Sequence, residues 1–184
     1  MEIIESARPL HVVLVSLLAA LLIGASGRYP NLRETWTFAA ALLKFGLVVS
    51  LLPPILEGKV VRYNAAAVLP GLDLAFRVDA LGLTLALTAS FLWIITSAYA
   101  VGYMRSRGEH SQTRFYMCFA VALAATMGAA FAANVFTLFV FYEVLTVSTY
   151  ALVAHQGTAE AVRGARRYLA YLLGTSILFF LPAV

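Results

Sequence analysis

The stretch from Asn134 to Ala154 is apolar and long enough to cross a bilayer, yet it carries a carboxylate, Glu143, near its midpoint. A charged side chain at that depth costs roughly 2.5–3.5 kcal/mol on insertion scales. The chain therefore has to fold so that this one face of the helix meets protein rather than lipid. At about 100° per residue, Thr146 and Tyr150 share the face of Glu143, while Ser148 and Thr149 turn away from it. Glu143 thus lies on a mildly polar stripe. Two roles suit such an acid: a relay for protons or ions, or a structural carboxylate paired with an amine elsewhere.

The rest of the chain is built to the same rule. Of its 184 residues 62% are hydrophobic and 12% charged, with a mean hydropathy of +0.87, more apolar surface than a water-soluble domain can bury. We expect an all-α integral membrane protein. The single cysteine, Cys118, sits in an apolar run and reads as packing, which leaves no disulfide framework or cysteine-based metal cluster. The formal charge of +4 comes from basic residues spread over membrane-flanking loops, not gathered in a nucleic-acid-binding patch. His11, His110 and His155 are isolated near helix ends and read as interfacial. No Ser/His/Asp, paired-carboxylate or metal-spaced set is present, so neither a catalytic site nor a cofactor or metal is expected. Glu2 and Glu5 give the N-terminus the wrong charge for a signal peptide, and the first apolar run is expected to remain as a helix.

Cutting the apolar runs at charged or turn-rich interruptions predicts six membrane helices in one domain. They run from about Pro9 to Ser26, Trp36 to Leu56, Ala80 to Tyr103, Phe115 to Phe131, Asn134 to Ala154, and Val162 to Val184. The fourth and fifth are separated only by Ala132 and Ala133 and must form an antiparallel hairpin. Eight basic residues (Arg28, Arg33, Arg105, Arg107, Arg114, Arg163, Arg166, Arg167) fall on one side of this arrangement, and four (Arg8, Lys59, Arg62, Arg77) on the other. The richer side is expected to be cytoplasmic and the N-terminus outside. The long connection at 57–79 alternates Leu72, Leu74, Phe76 and Val78 against Asp73, Ala75, Arg77 and Asp79, after a Pro70-Gly71 turn. With Val60 to Tyr63 as partner it predicts a short external β-hairpin lying across the helix ends.

Three further features lie inside the spans. Ala120, Ala124, Gly128 and Ala132 recur every four residues in the fourth helix, a seam of small residues for close helix packing. Lys44 lies roughly 13 Å into the second span at 1.5 Å per residue. It either snorkels toward the head groups or serves as the basic partner of Glu143 or of an acid on a neighbouring subunit. The last span opens with Arg163, Arg166 and Arg167, which suit positive-inside anchoring. Gly174, Thr175 and Ser176 then stand mid-span, as a bend, a hydrated point or a packing notch.

Taken together, FRVDALGLTLALTASFLWIITSAYAVGYM, RFY, NVFTLFVFYEVLTVSTYALVAH and EAVRGARRYLAYLLGTS resemble the antiporter-like, proton-conducting subunits shared by respiratory complex I, membrane-bound hydrogenases and Mrp-type cation/proton antiporters, with the D-type member of the Mrp antiporters nearest. The resemblance is good over Phe76 to Ser176 and looser before. It implies that Glu143 is the family's fifth-helix glutamate, which pairs with a lysine on a seventh helix and modulates proton movement. It sets Arg167 at a position where the family usually has lysine, a change that keeps charge but loses an easily shifted amine. Family members have about fourteen helices in two inverted repeats, each with a broken helix. This chain ends at the sixth, so a partner chain is expected to supply the remaining helices, the chain being either one half of a split gene or a remnant kept for assembly.

The sequence therefore predicts a subunit of a multisubunit monovalent cation/proton antiporter or proton-translocating complex in the plasma membrane. Its other membrane subunits and the lipid bilayer would be its partners, protons or Na+ its ions, and nucleic acid no partner at all. Glu143 leads the transport residues, with Lys44, Arg167 and Tyr150 behind it. The alternative is a structural or assembly subunit without its own transport path. The chain has no catalytic site of its own, even if its host complex is driven by redox chemistry.

Overall fold

The computed structural model describes residues 2–184. Its helices are α1 (Arg8–Ala25), α2 (Pro30–Val49), the short α3 (Leu52–Leu56), α4 (Ala80–Arg107), α5 (Gln112–Ala130), α6 (Val135–Val153) and α7 (Ala159–Phe179). Three strands, β1 (Ile3–Glu5), β2 (Val60–Leu69) and β3 (Leu72–Val78), complete the regular structure apart from a terminal 3-10 turn at Leu181–Ala183. The architecture is that of an all-α membrane protein with a small sheet at one end.

Among the described residues five segments are long and apolar enough to cross a membrane: α1, Pro30–Leu56, α4, α5 and α6. The expected sixth, α7, is a helix of 21 residues, but Arg163, Arg166 and Arg167 keep its first turns too polar to count by composition. The second helix also starts earlier than the apolar pattern implied. Pro30 pre-sets its first turn, and the helix runs through Arg33 and Glu34, buried residues whose hydrogen-bond partners come from α4 and α5, instead of marking a loop there. It breaks at Ser50 and Leu51, just before Pro53 and Pro54, as ring clash and the missing N–H groups require.

Sharp helix ends are written in the sequence. Asp79 caps α4 by accepting from the Gly82 N–H at 2.9 Å, Asn134 caps α6 from Thr137 at 2.7 Å, and Thr158 caps α7 from Ala161 at 3.1 Å. Gly108, at φ 62°, ends α4 in the left-handed conformation that glycine tolerates.

The predicted hairpin exists, with β2 antiparallel to β3, but it is the larger part of a three-stranded sheet in the order β1-β2-β3. The added strand is the N-terminal Ile3–Glu5, parallel to β2. This sheet is bolted onto the α5–α6 turn. The Arg77 N–H donates to the Phe131 carbonyl at 2.7 Å, the Ala133 N–H to the Ala75 carbonyl at 3.0 Å, and the Ala75 N–H to Thr137 Oγ1 at 3.0 Å. Phe76, fully buried, meets the Phe141 ring of α6 with centroids 5.7 Å apart. Backbone groups that the turn would otherwise leave unpaired at the membrane surface thus find partners in the sheet.

Two apolar clusters divide the bundle by height. One, under the sheet, gathers Val12, Val48, Phe76, Leu83, Met127 and Phe131, and the other, at the far end, Ile23, Ala41, Trp93, Tyr116 and Ala120. The small-residue seam runs from one into the other. Ala120, Ala124 and Gly128 are buried, and the Phe141 ring stands where a Cβ on Gly128 would be. Ala132 falls beyond the helix end and bridges Phe76 instead, so the seam on α5 is three residues long, not four.

Candidate functional site

Glu143 is the ninth residue of the nineteen in α6, so its Cα lies about 12 Å from the start of the helix. It is half-buried. The helix pair α6 and α7 is antiparallel, as the Thr149–Tyr168 contact (3.1 Å) and the Tyr142–Phe180 ring pair (5.5 Å) fix. That register brings Ser176 to Glu143, and the Ser176 hydroxyl donates to Glu143 Oε1. Ser176 is the partner that sequence reasoning missed. The polar Thr175-Ser176 pair inside an apolar span was its only signal, and assigning it needed the α6–α7 register.

On its other side Glu143 borders a groove of about 520 Å³ between α5 and α6. Met117, Cys118, Val121, Val144, Val147, Ser148 and Ala151 line the rest of it. Ser148 therefore looks into the same groove as Glu143, although helical phase alone set it apart, because the groove spans more than one face of α6. Thr146 is buried, and Tyr150 is half-buried two turns farther along. Among the described residues no cation forms an ion pair with Glu143. Arg167 is exposed, and in the α6–α7 register it lies near the level of Tyr150, about 10 Å along the helix from Glu143.

Lys44 does not snorkel. Its side chain turns inward, is 0% exposed, and places Nζ 3.1 Å from the Leu123 carbonyl and 4.9 Å from the centre of the Trp93 ring. Nor does it meet Glu143: among the described residues no carboxylate pairs with it. A cation-π contact of this kind contributes about 0.5–2 kcal/mol, less than the several kcal/mol that removing an ammonium from water costs. Lys44 and Glu143 are two separate polar points, one in the α2–α4–α5 interior and the other between α5, α6 and α7.

A third cluster closes the end of the bundle opposite the sheet. Glu34 accepts from Arg105 Nε at 2.9 Å and Nη2 at 2.6 Å, and Arg33 lies 3.5 Å from the same carboxylate. Arg33 in turn donates to Gln112 at 2.8 Å and Thr113 at 3.1 Å and stacks on Tyr116. On the same side the His110 and His155 rings stack at 5.3 Å, and Arg114 donates to the His155 carbonyl at 2.9 Å. Burial, then Arg114 and His110, lowers the His155 pKa below its usual value.

This geometry can hold a proton or a cation against a carboxylate inside the membrane, and among the described residues it offers no metal cage beside it. No family model matches the chain. It is 30% identical over 149 residues to the N-type chain of the NADH-quinone oxidoreductase of Desulforudis audaxviator, a match covering 77% of this chain and 29% of that protein. It is 25% identical over 170 residues to the D-type chain of the Na+/H+ antiporter of Bacillus subtilis, covering 91% of this chain and 34% of that one. In fold it superposes with TM-score 0.77 and 18% identity on a chain of the membrane-bound sulfane sulfur reductase, an archaeal respiratory membrane complex, over 95% of this chain and 37% of that chain. The chain thus spans about a third of the length of these relatives.

Proposed function

The chain belongs to the antiporter-like membrane subunit family, and from that premise we propose that it serves as one subunit of a multisubunit cation/proton antiporter or proton-translocating complex, with Glu143 as its charge-handling carboxylate. The observation that carries this reading is the placement of Glu143: midway along α6, bonded to a neutral hydroxyl, unpaired with any cation among the described residues, and bordering a groove. An acid kept at that depth with no fixed counter-ion is costly to retain, and a part in charge movement is the role that most often accounts for one. The groove and the exposed apolar faces of α6 and α7 suit a neighbouring membrane subunit that supplies the opposing base.

The remaining assignments follow the same premise. The transported ions are protons or Na+. The complex sits in the plasma membrane with the sheet and N-terminus outside, as the basic residues at the Arg105 end favour. Helix α7 is the sixth crossing, its 21 residues spanning about 31 Å. Arg167 and Tyr150, near the cytoplasmic end in that orientation, are secondary contributors to charge movement.

Replacing Glu143 with Gln in the assembled complex tests the reading. The isostere keeps the Ser176 contact and the packing, so assembly should persist while ion or proton transport is lost. A structural role has support in the Ser176 bond, which ties α6 to α7. It predicts the reverse: impaired assembly, with normal transport by whatever complex survives.

A further inference from the structure

The interior between α1, α2, α4 and α5 holds more polar groups than its hydrogen bonds use. Arg33 bonds to Gln112 and Thr113 and Lys44 to Leu123, partners 79 or 80 residues apart, so α5 runs beside α2 in one direction and at a constant height. The contacts of Glu34 with Arg105 and of Lys44 with Trp93 set α4 antiparallel to both. In that frame Tyr116 stands level with Thr37, Ser97 lies one turn from Trp93 on the same buried face of α4, and Trp93 and Ser16 stand level with Lys44. From Arg33 to Lys44 the rise along α2 is about 16 Å.

All of these side chains are buried: Tyr116, Ser97, Trp93 and Ser16 are each no more than 2% exposed. Yet among the described residues Tyr116 Oη, Ser97 Oγ, Trp93 Nε1 and Ser16 Oγ have no hydrogen-bonding partner. Lys44 adds to the account. An ammonium has three N–H donors, and here one reaches the Leu123 carbonyl and another faces the Trp93 ring, which leaves one without a protein acceptor. Buried polar groups go unpaired only rarely, and ordered water is the usual partner when several converge.

We propose that Lys44 is an internal proton-exchange site, joined to the membrane face that carries Arg105 by a file of water molecules seated on Trp93, Ser97 and Tyr116. A proton leaving Nζ passes to the adjacent water, whose own proton moves on along the file, and neutral Lys44 regains one from the same face. Only N–H and O–H bonds form and break. Lys44 itself meets Trp93 of α4 and the Leu123 carbonyl of α5, and Ser97, about one turn on, and Tyr116, about two turns on, follow toward the Arg105 face. Arg33 and Glu34 stand on α2 itself, and Arg105, its side chain 49% exposed, forms the outlet. Arg8 and His11 on α1 lie toward the opposite end of the bundle, away from the file. The inference does not rest on the transport role of Glu143.

The chain contains two lysines, Lys44 and Lys59, which makes the test direct. With lysine labelled at Cε and the chain in lipid nanodiscs, transfer into D2O shifts each Cε resonance as its Nζ protons exchange. The proposal predicts exchange at Lys44 within minutes, as at Lys59 outside the bundle. It also predicts that Ser97→Ala combined with Tyr116→Phe slows Lys44 by about tenfold and leaves Lys59 unchanged. Protons held at Lys44 for hours after Lys59 has exchanged would overturn the site. Fast exchange indifferent to both substitutions would overturn the route.

Discussion

Where α4 begins, its backbone meets the end of α5 so closely that only glycine fits. A Cβ built on Gly82 would stand 2.4 Å from the Ala130 carbonyl oxygen, which is main chain and cannot swing aside. Gly82 also donates its N–H to the capping Asp79, and Ala130 precedes the turn to which the sheet is bonded, so both sides are pinned. Gly82→Ala must therefore push α4 from α5, an overpacking cost of about 1–3 kcal/mol. Against it stands a helix-propensity gain of about 0.5–1 kcal/mol. With the backbone on both sides fixed, the upper part of the cost range applies and the net loss is about 2 kcal/mol. For a chain of this size that lowers the melting temperature by roughly 4–8 °C. Gly46→Ala is the control: α2 offers nothing within 4 Å of its new methyl, so the propensity gain stands alone and the protein melts slightly higher. Cys118, the lone thiol, reports unfolding by its reaction with a fluorogenic maleimide in detergent. A Gly82→Ala protein that melts with Gly46→Ala refutes the close approach, and with it the clamp at this end of the bundle.

Other perturbations probe separate parts. Phe76→Ala empties the core between the sheet and α6 and should cost about 3–5 kcal/mol, measured by the same melt. Glu34→Ala removes the acceptor of a two-pronged arginine contact. Because the Arg105 side chain is 49% exposed, water recovers part of what is lost, so the melting temperature should fall by less than it does for Phe76→Ala, and Arg105→Lys should lower it less again. His155 has a folded-state pKa below its unfolded value, so the unfolded chain binds the extra proton first as pH falls. Its contribution is complete above the usual histidine pKa and is lost as pH drops through the folded value. The melting temperature, followed by circular dichroism, should fall from about pH 7 to about pH 5, and His155→Phe, which retains a ring against Phe115, should flatten that slope.

The helices were legible because the bilayer enforces length and apolarity, and the hairpin because period-two alternation ran through 72–79. What was not legible is what charges do once they find partners. Arg33 and Glu34 look like a loop in a hydropathy scan, yet both bury, Glu34 against Arg105 and Arg33 against Gln112, Thr113 and Tyr116. Lys44 looked free to snorkel, since no pattern in a single helix reveals that Trp93 and the Leu123 carbonyl wait on its inner side. The strand at Ile3–Glu5 is too short to carry a period of its own, and its pairing with β2 is a purely non-local fact. Glu143 could be located by depth alone. Its hydroxyl partner, Ser176, required the antiparallel register of α6 and α7, which composition does not encode.

The claim on which the functional account rests is that Glu143 changes its protonation when the complex moves charge. Infrared difference spectroscopy of the assembled complex, stepped between resting and transporting conditions, reads this at the carboxyl stretch. A carboxyl band should appear in the wild type and be absent in Glu143→Gln. Identical difference spectra from the two proteins, with transport intact in both, would contradict it.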